Sequence, residues 1–216
     1  MLDDQTIFDA ATKELAHPEW SATKQILSVN RVLPIPVAID RATDQTAAFV
    51  FFAIEGESYH VWVRVNAECA SVEFSGVEPS SEVAIVISSD QVSLEKITEW
   101  TGRNPTSSRG RGEPKRYGRG LYPANTWTFE PWRGSVEFLD AKLTSATVVL
   151  NDLSSRGPVP PGLNVQVSVT SRQWRAWPSG FHISTELVAA VARVGASIDI
   201  DQYVTGPQLT EASDTA

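Results

Sequence analysis

Residues Arg103–Gly120 place the firmest constraint on any fold this chain can adopt. They read Arg-Asn-Pro-Thr-Ser-Ser-Arg-Gly-Arg-Gly-Glu-Pro-Lys-Arg-Tyr-Gly-Arg-Gly, with no apolar residues at helix or strand spacing. A stretch of this kind cannot fill a core, so the core must be assembled from the sequence on either side of it. Six Lys and Arg against Glu113 give the stretch a charge of +5, whereas the whole chain of 216 residues is −8; everything outside it therefore carries −13. The composition predicts a long basic loop on an acidic protein. Loops of this length inside compact domains are uncommon, and they are often functional or disordered.

The rest of the composition is that of a globular chain: 42% hydrophobic and 20% charged residues. Cys69 is the only cysteine, which excludes an internal disulfide and a cysteine-based zinc centre. No cofactor is implied. The first residues, Met-Leu-Asp-Asp-Gln, are acidic where a signal peptide would be basic and then apolar. No apolar run reaches the ~18–20 residues of a membrane span. The expected compartment is the cytoplasm, with no membrane partner. The net charge of −8 argues against general coating of nucleic acid and leaves acidic surface free to meet a basic partner.

Before the basic stretch, Asp3 and Asp4 offer an N-cap to a helix carrying Ile7, Phe8, Ala11 and Leu15, which Pro18 ends. Lys24–Leu33 mixes β-branched and polar residues and is expected to begin a strand, with Pro34 and Pro36 restricting the next segment to a sheet edge or a bend. Ala47–Ile54 has the composition of a buried strand, and Glu55-Gly56-Glu57-Ser58 of a hairpin turn. Tyr59–Asn66 alternates, with Tyr59, Val61, Val63 and Val65 on one face and His60, Trp62, Arg64 and Asn66 on the other. Ser71–Ser75 alternates again, which predicts Val72 and Phe74 inward. Residues 1–80 thus read as a small module of one helix on an antiparallel sheet.

From Val83 the pattern changes. Val83–Ile87 is continuously apolar, as in a strand covered on both faces. Ser93 is placed to cap a helix bearing Leu94, Ile97 and Trp100, and Gly102 to close it in the left-handed region. Beyond the basic stretch, Trp127–Glu130 reads as a short strand and Ser135 as the opening of the strongest helix, with Val136, Leu139, Leu143, Ala146, Leu150 and Leu153 three and four apart. Leu163–Thr170 alternates as a strand, Phe181–Ile183 is expected to extend the pairing, Ser184 caps a last helix ending at Gly195, and Ser197–Tyr203 closes the sheet with Ile198 and Ile200 inward. Residues 81–206 therefore form a second α+β domain, a mainly antiparallel sheet with helices on one face, and residues 207–216 a tail expected to be disordered.

Several of these motifs occur together in a known order. A helix ending at Gly102, then Asn104-Pro105-Thr106, a loop bearing Gly and Arg, and a strand opened by Trp127 resemble the bacterial domain-of-unknown-function family 4279. Gly180–Leu187 is similar to the strand-to-helix step of that family, and Gly195–Tyr203 to its closing strand. The resemblance covers about residues 82 to 204. It brings no known active site with it. Small bacterial families of this kind often hold toxin-neutralising (immunity) proteins, an analogy of family and not of residues.

Candidate sites are few. Arg103, Arg109, Arg111, Lys115, Arg116 and Arg119, with Trp127, form the candidate ligand- or partner-binding set, because arginine forks match phosphate and carboxylate and Gly-rich backbone can turn N–H groups inward. Tyr117, Tyr122 and Trp132 lie close by for stacking. The opposing reading is a solvated loop whose arginines pair with the chain's own acids. Gly110-Arg111-Gly112 lacks the spacing of a phosphate loop. Asp199 and Asp201, two apart on a strand, share a face and suit ligation of a hard cation, acid–base work, or a charged edge. His17, His60 and His182 fall in no metal-ligand motif. Trp174 and Trp177 flank Arg175 and are either interface anchors or core. The expected function is that of a non-enzymatic binding protein acting by protein–protein contact, with toxin neutralisation as one form. Anion, nucleotide or nucleic-acid binding through 103–120 is the first alternative, and a hydrolase or transferase using Asp199 and Asp201 the second.

Overall fold

The computed structural model of the chain describes residues 2–42, 45–175 and 180–206. In order these form α1 (Asp4–Ala16), α2 (Ser21–Val29), β1 (Val32–Arg41), β2 (Ala47–Ile54), β3 (His60–Asn66), β4 (Val72–Glu78), β5 (Ser80–Ser89), α3 (Leu94–Thr101), β6 (Ser107–Arg109), β7 (Asn125–Phe129), α4 (Leu139–Ser155), β8 (Asn164–Trp174), α5 (Thr185–Val194) and β9 (Ser197–Thr205). The class is α+β. One sheet has the order β1-β2-β3-β4 and the other β6-β7-β5-β8-β9. The chain divides into two compact units. Among the described residues, one takes 2–80 with 171–175, 180 and 202–206, the other 81–170 with 181–201. Trp177 and the tail 207–216 lie outside the described residues.

In the first unit α1 starts where the Asp3 carboxylate accepts the Thr6 N–H at 2.7 Å, and it buries Ile7 and Ala11. A second helix, α2, occupies residues 21–29, where the residue types predict the beginning of a strand. Its start is set from a distance: the buried Glu14 carboxylate accepts the N–H groups of Glu19 at 3.1 Å and Trp20 at 3.0 Å. Ala22, Thr23 and Ile26 then fall on one buried face, and the Thr23 hydroxyl bonds to that of Ser75 at 2.7 Å. Helical spacing plus this anchor outweighs the weak preference of β-branched residues for strands.

The prolines hold β1 at the sheet edge, with register shifts around Pro36. In β3, Val61, Val63 and Val65 are wholly buried, as the alternation predicts. Phe74 is not inward; it is 44% exposed. The register slips by one residue between Arg64 and Val65, so Phe74 pairs opposite Arg64, on the same face as Trp62. One extra residue in a ladder moves every later side chain to the other face. Trp174 is fully buried and stacks on Tyr59 with centroids 6.2 Å apart, which assigns it to the core.

In the second unit Val83, Ile85 and Ile87 of β5 and Val165, Val167 and Val169 of β8 meet Leu143, Ala146, Leu150 and Leu153 of α4 and Leu187, Ala190 and Val194 of α5. Ala84 and Val86 stay half-buried, so β5 has one buried face and not two. Helix α4 begins at Leu139, four residues later than the Ser135 start expected from its pattern. The Ser135 hydroxyl donates to the Trp132 carbonyl at 2.8 Å, closing a turn in place of a cap, and the Ser135 carbonyl accepts from Lys142 Nζ at 2.9 Å. Residues 181–183 form no strand, and Ile200, on the edge strand β9, is 37% exposed. Caps at Ser93 and Ser184 and left-handed closures at Gly102 and Gly195 stand where the residues called for them.

Candidate basic hairpin and its groove

The stretch 103–120 is not one loop. Residues 107–109 form β6, antiparallel to β7 with Ser107 opposite Thr128, Ser108 opposite Trp127 and Arg109 opposite Thr126. A tight hairpin comes next. Gly112 N–H donates to Tyr122 O at 2.9 Å, Tyr122 N–H to Glu113 O at 2.9 Å, and Lys115 N–H to Gly120 O at 3.0 Å, with Pro114 bridging Leu121. Glycine is required at the bends: Gly112, Gly118 and Gly120 have φ of 82°, 84° and 106°, conformations that side chains rarely take. Pro114 and the glycines thus shape a β-hairpin whose tip is residues 115–120.

The basic residues divide between two tasks. Arg103 Nη2 donates to Asp152 Oδ2 at 3.0 Å, and its guanidinium lies 5.4 Å from the Phe129 ring centroid. That bond, supported by Arg156, holds the Asp152 carboxyl below the usual carboxylate range. Arg111 is also committed. Its backbone N–H donates to Asn125 Oδ1 at 2.8 Å, Asn125 Nδ2 donates to Val92 O at 2.8 Å, and its guanidinium bonds the Asp90 carbonyl. Trp127 is 1% exposed and stacks on Phe129 within the core, so it offers no surface to a ligand. Arg109, Lys115, Arg116 and Arg119 are exposed, and none forms an ion pair with a described residue. Tyr117, on the same tip, is 89% exposed.

Beside the hairpin lies a groove of about 440 Å³ lined by β6, by Glu113, Pro114, Arg116 and Tyr122, and by Arg133. The Arg109 guanidinium lies 5.3 Å from the Tyr122 centroid, and the Tyr122 hydroxyl accepts the Arg116 N–H at 3.3 Å. Arg133 enters from the turn after β7, a contribution that no spacing in the sequence announces. Its nearest carboxylate is Glu130, at 3.8 Å. Burial, and then the nearby Glu82, raise the Glu130 carboxyl above its ordinary value, with Arg133 and Lys142 opposing.

All of this lies inside one matched segment. Residues 79–205, more than half of the chain, match the family described as Domain of unknown function (DUF4279). The chain belongs to this family. The matched segment is the stretch whose motifs at Asn104, Trp127 and Gly195 resemble it. No curated protein and no solved structure matches the chain. Within the DUF4279 segment, Asp199 and Asp201 are exposed on β9, and Asp199 Oδ2 accepts from Gln166 Nε2 at 2.8 Å. Among the described residues no group of three or more His, Cys, Asp or Glu is placed to hold a metal ion. No described helix is long and apolar enough to cross a membrane. Outside the segment, His60 is half-buried on β3, and Cys69 is exposed with Sγ 3.1 Å from the Ser71 hydroxyl.

Proposed function

We propose that this DUF4279 protein is a non-enzymatic binding protein that docks an acidic protein surface through the tip of the basic hairpin. The observation that carries the reading is the presentation of Lys115, Arg116 and Arg119 around the 89% exposed Tyr117 on a hydrogen-bonded hairpin. Tyr and Arg are the side chains on which binding hot spots are most often built. Holding them on a paired hairpin, in place of a free loop, lowers the ordering cost of binding. The −13 carried by the rest of the chain favours this contact, because an acidic partner is repelled by the net charge of the protein and drawn to the basic tip. Neutralisation of a protein toxin is one instance of such a function.

The test is capture from a lysate of the native host by the wild-type protein and by a Lys115→Glu/Arg119→Glu variant. A partner retained at physiological salt by the wild type and lost with the variant supports the reading. Its release by raised salt from the wild type is the accompanying signature. A partner retained equally by both proteins would refute docking through the tip.

A further inference from the structure

We infer that the groove beside the hairpin is a binding site for a single phosphoryl dianion. The inference rests on the basic hairpin being the working surface of the protein, but it concerns the groove and not the tip. Three guanidinium groups line the groove from three separate segments: Arg109 from β6, Arg116 from the hairpin, and Arg133 from the turn after β7. Ser107, on the same face of β6 as Arg109, adds a hydroxyl, and Tyr122 an aromatic ring. Planar guanidinium forks match phosphate oxygens two at a time, and hydroxyls complete such a shell as further donors.

Charge sets the size of the anion. Three arginines less the Glu113 carboxylate leave the lining at +2, which complements the roughly −1.5 to −2 of one phosphoryl group near neutral pH. A carboxylate would neutralise half of that, and a polyphosphate would exceed it. The arginines are also available. Arg116 forms no ion pair with a described residue, Arg133 is 70% exposed and pairs with Glu130 only at 3.8 Å, beyond hydrogen-bond reach, and Arg109 is held over Tyr122, leaving its edge for an anion. The volume, about 440 Å³, lies within the range of small-molecule sites. It accommodates a phosphate monoester as well as inorganic phosphate.

Titrating the full-length protein while following arginine Nε–Hε NMR signals tests this directly. Inorganic phosphate, glycerol phosphate and adenosine monophosphate are the three probes. All three should perturb the signals of Arg109, Arg116 and Arg133 saturably. Each single variant, Arg116→Gln or Arg133→Gln, should weaken phosphate binding about tenfold, the effect of losing one charge-assisted hydrogen bond. Tighter binding of the nucleotide than of the other two would support the site and identify a phosphate monoester bearing an aromatic ring as its ligand. Equal binding would support it and identify the bare phosphoryl group. Absence of saturation, or affinity unchanged in the Arg116→Gln/Arg133→Gln double variant with the fold verified by circular dichroism, would overturn the proposal. Partner capture that still depended on Lys115 and Arg119 would leave the docking role of the tip intact in that event.

Discussion

Replacing Gly102 by Ala probes the join between α3 and the basic segment. Gly102 closes α3 with φ +60° and ψ 21°, its N–H donating to Thr98 O at 2.9 Å. An L-residue in the left-handed conformation costs about 1–2 kcal/mol. A Cβ built there lies 2.8 Å from Arg156 Cζ and closer still to Nη1. Because that obstacle is the end of a flexible side chain, Arg156 can swing away. In doing so it gives up its 3.5 Å approach to Asp152, a pair 38% and 35% exposed. Ion pairs of that exposure contribute about 0–1 kcal/mol. Arg103 keeps its 3.0 Å bond to the same carboxylate. The expected loss is therefore about 1–3 kcal/mol. Urea denaturation should show a lower midpoint at unchanged m, since the surface exposed on unfolding is the same. In an Arg156→Ala background only the backbone strain remains, and the loss should shrink to about 1–2 kcal/mol. Equal losses in the two backgrounds would show that displacing Arg156 costs nothing measurable. No loss in either would show that α3 does not end in a left-handed turn.

The same geometry sets the outcome at other positions. Gly76→Ala would set a Cβ 2.5 Å from the Trp62 ring, which must then move; a cost of about 1–3 kcal/mol and a shift in tryptophan fluorescence are expected. Gly206→Ala combines φ +83° with a Cβ 2.5 Å from the Tyr59 hydroxyl oxygen and 2.7 Å from Trp174, so its melting temperature should fall at least as far as that of Gly76→Ala. The folded-state pKa of Asp152 is depressed, so its contribution to stability is present above the unfolded value and lost as pH falls through the folded one. Asp152→Asn should flatten the acid limb of a stability–pH curve. Glu130 has the opposite sign. Its raised folded pKa makes ionisation destabilising as pH rises from the ordinary carboxyl range, so Glu130→Gln should gain stability relative to wild type at neutral pH and lose that gain in acid.

The features legible in the residues are those that local chemistry decides. Ser93 and Ser184 each accept an N–H three residues on, and Gly102 and Gly195 each close a helix in the left-handed region, because capping needs only neighbours in the chain. Strands β2 and β3 are set by composition and alternation for the same reason, and the α+β class by the order of the elements. The features that the residues do not announce all involve a partner outside the element itself or a turn closed outside the pattern. Helix α2 depends on the carboxylate of Glu14, the face of Phe74 on a slip against β3, and the late start of α4 on a turn that Ser135 closes with Trp132. Arg133 reaches the groove only because β7 and its turn return alongside β6.

The basic segment shows how far charge counting goes. Its +5 is a single number in the sequence, but pairing with Thr126 and Thr128 splits it into two populations. Arg103 and Arg111 spend their donors inside the protein, on Asp152 and on the Asp90 carbonyl, and so fasten the two ends of β6. Lysine at position 103 would keep the charge and lose the planar group that also lies over the Phe129 ring. Lys115, Arg116 and Arg119 have no such employment among the described residues and stand on the hairpin that the glycines bend, while Arg109, at the end of β6, is held only over the Tyr122 ring. A hairpin needs glycine at its bends and gains nothing in stability from four uncompensated cations, which repel one another. The fold therefore accounts for the glycines and for two of the arginines. The four cations left over are what a function has to explain, and with Arg133 they are the residues whose substitution separates binding from folding.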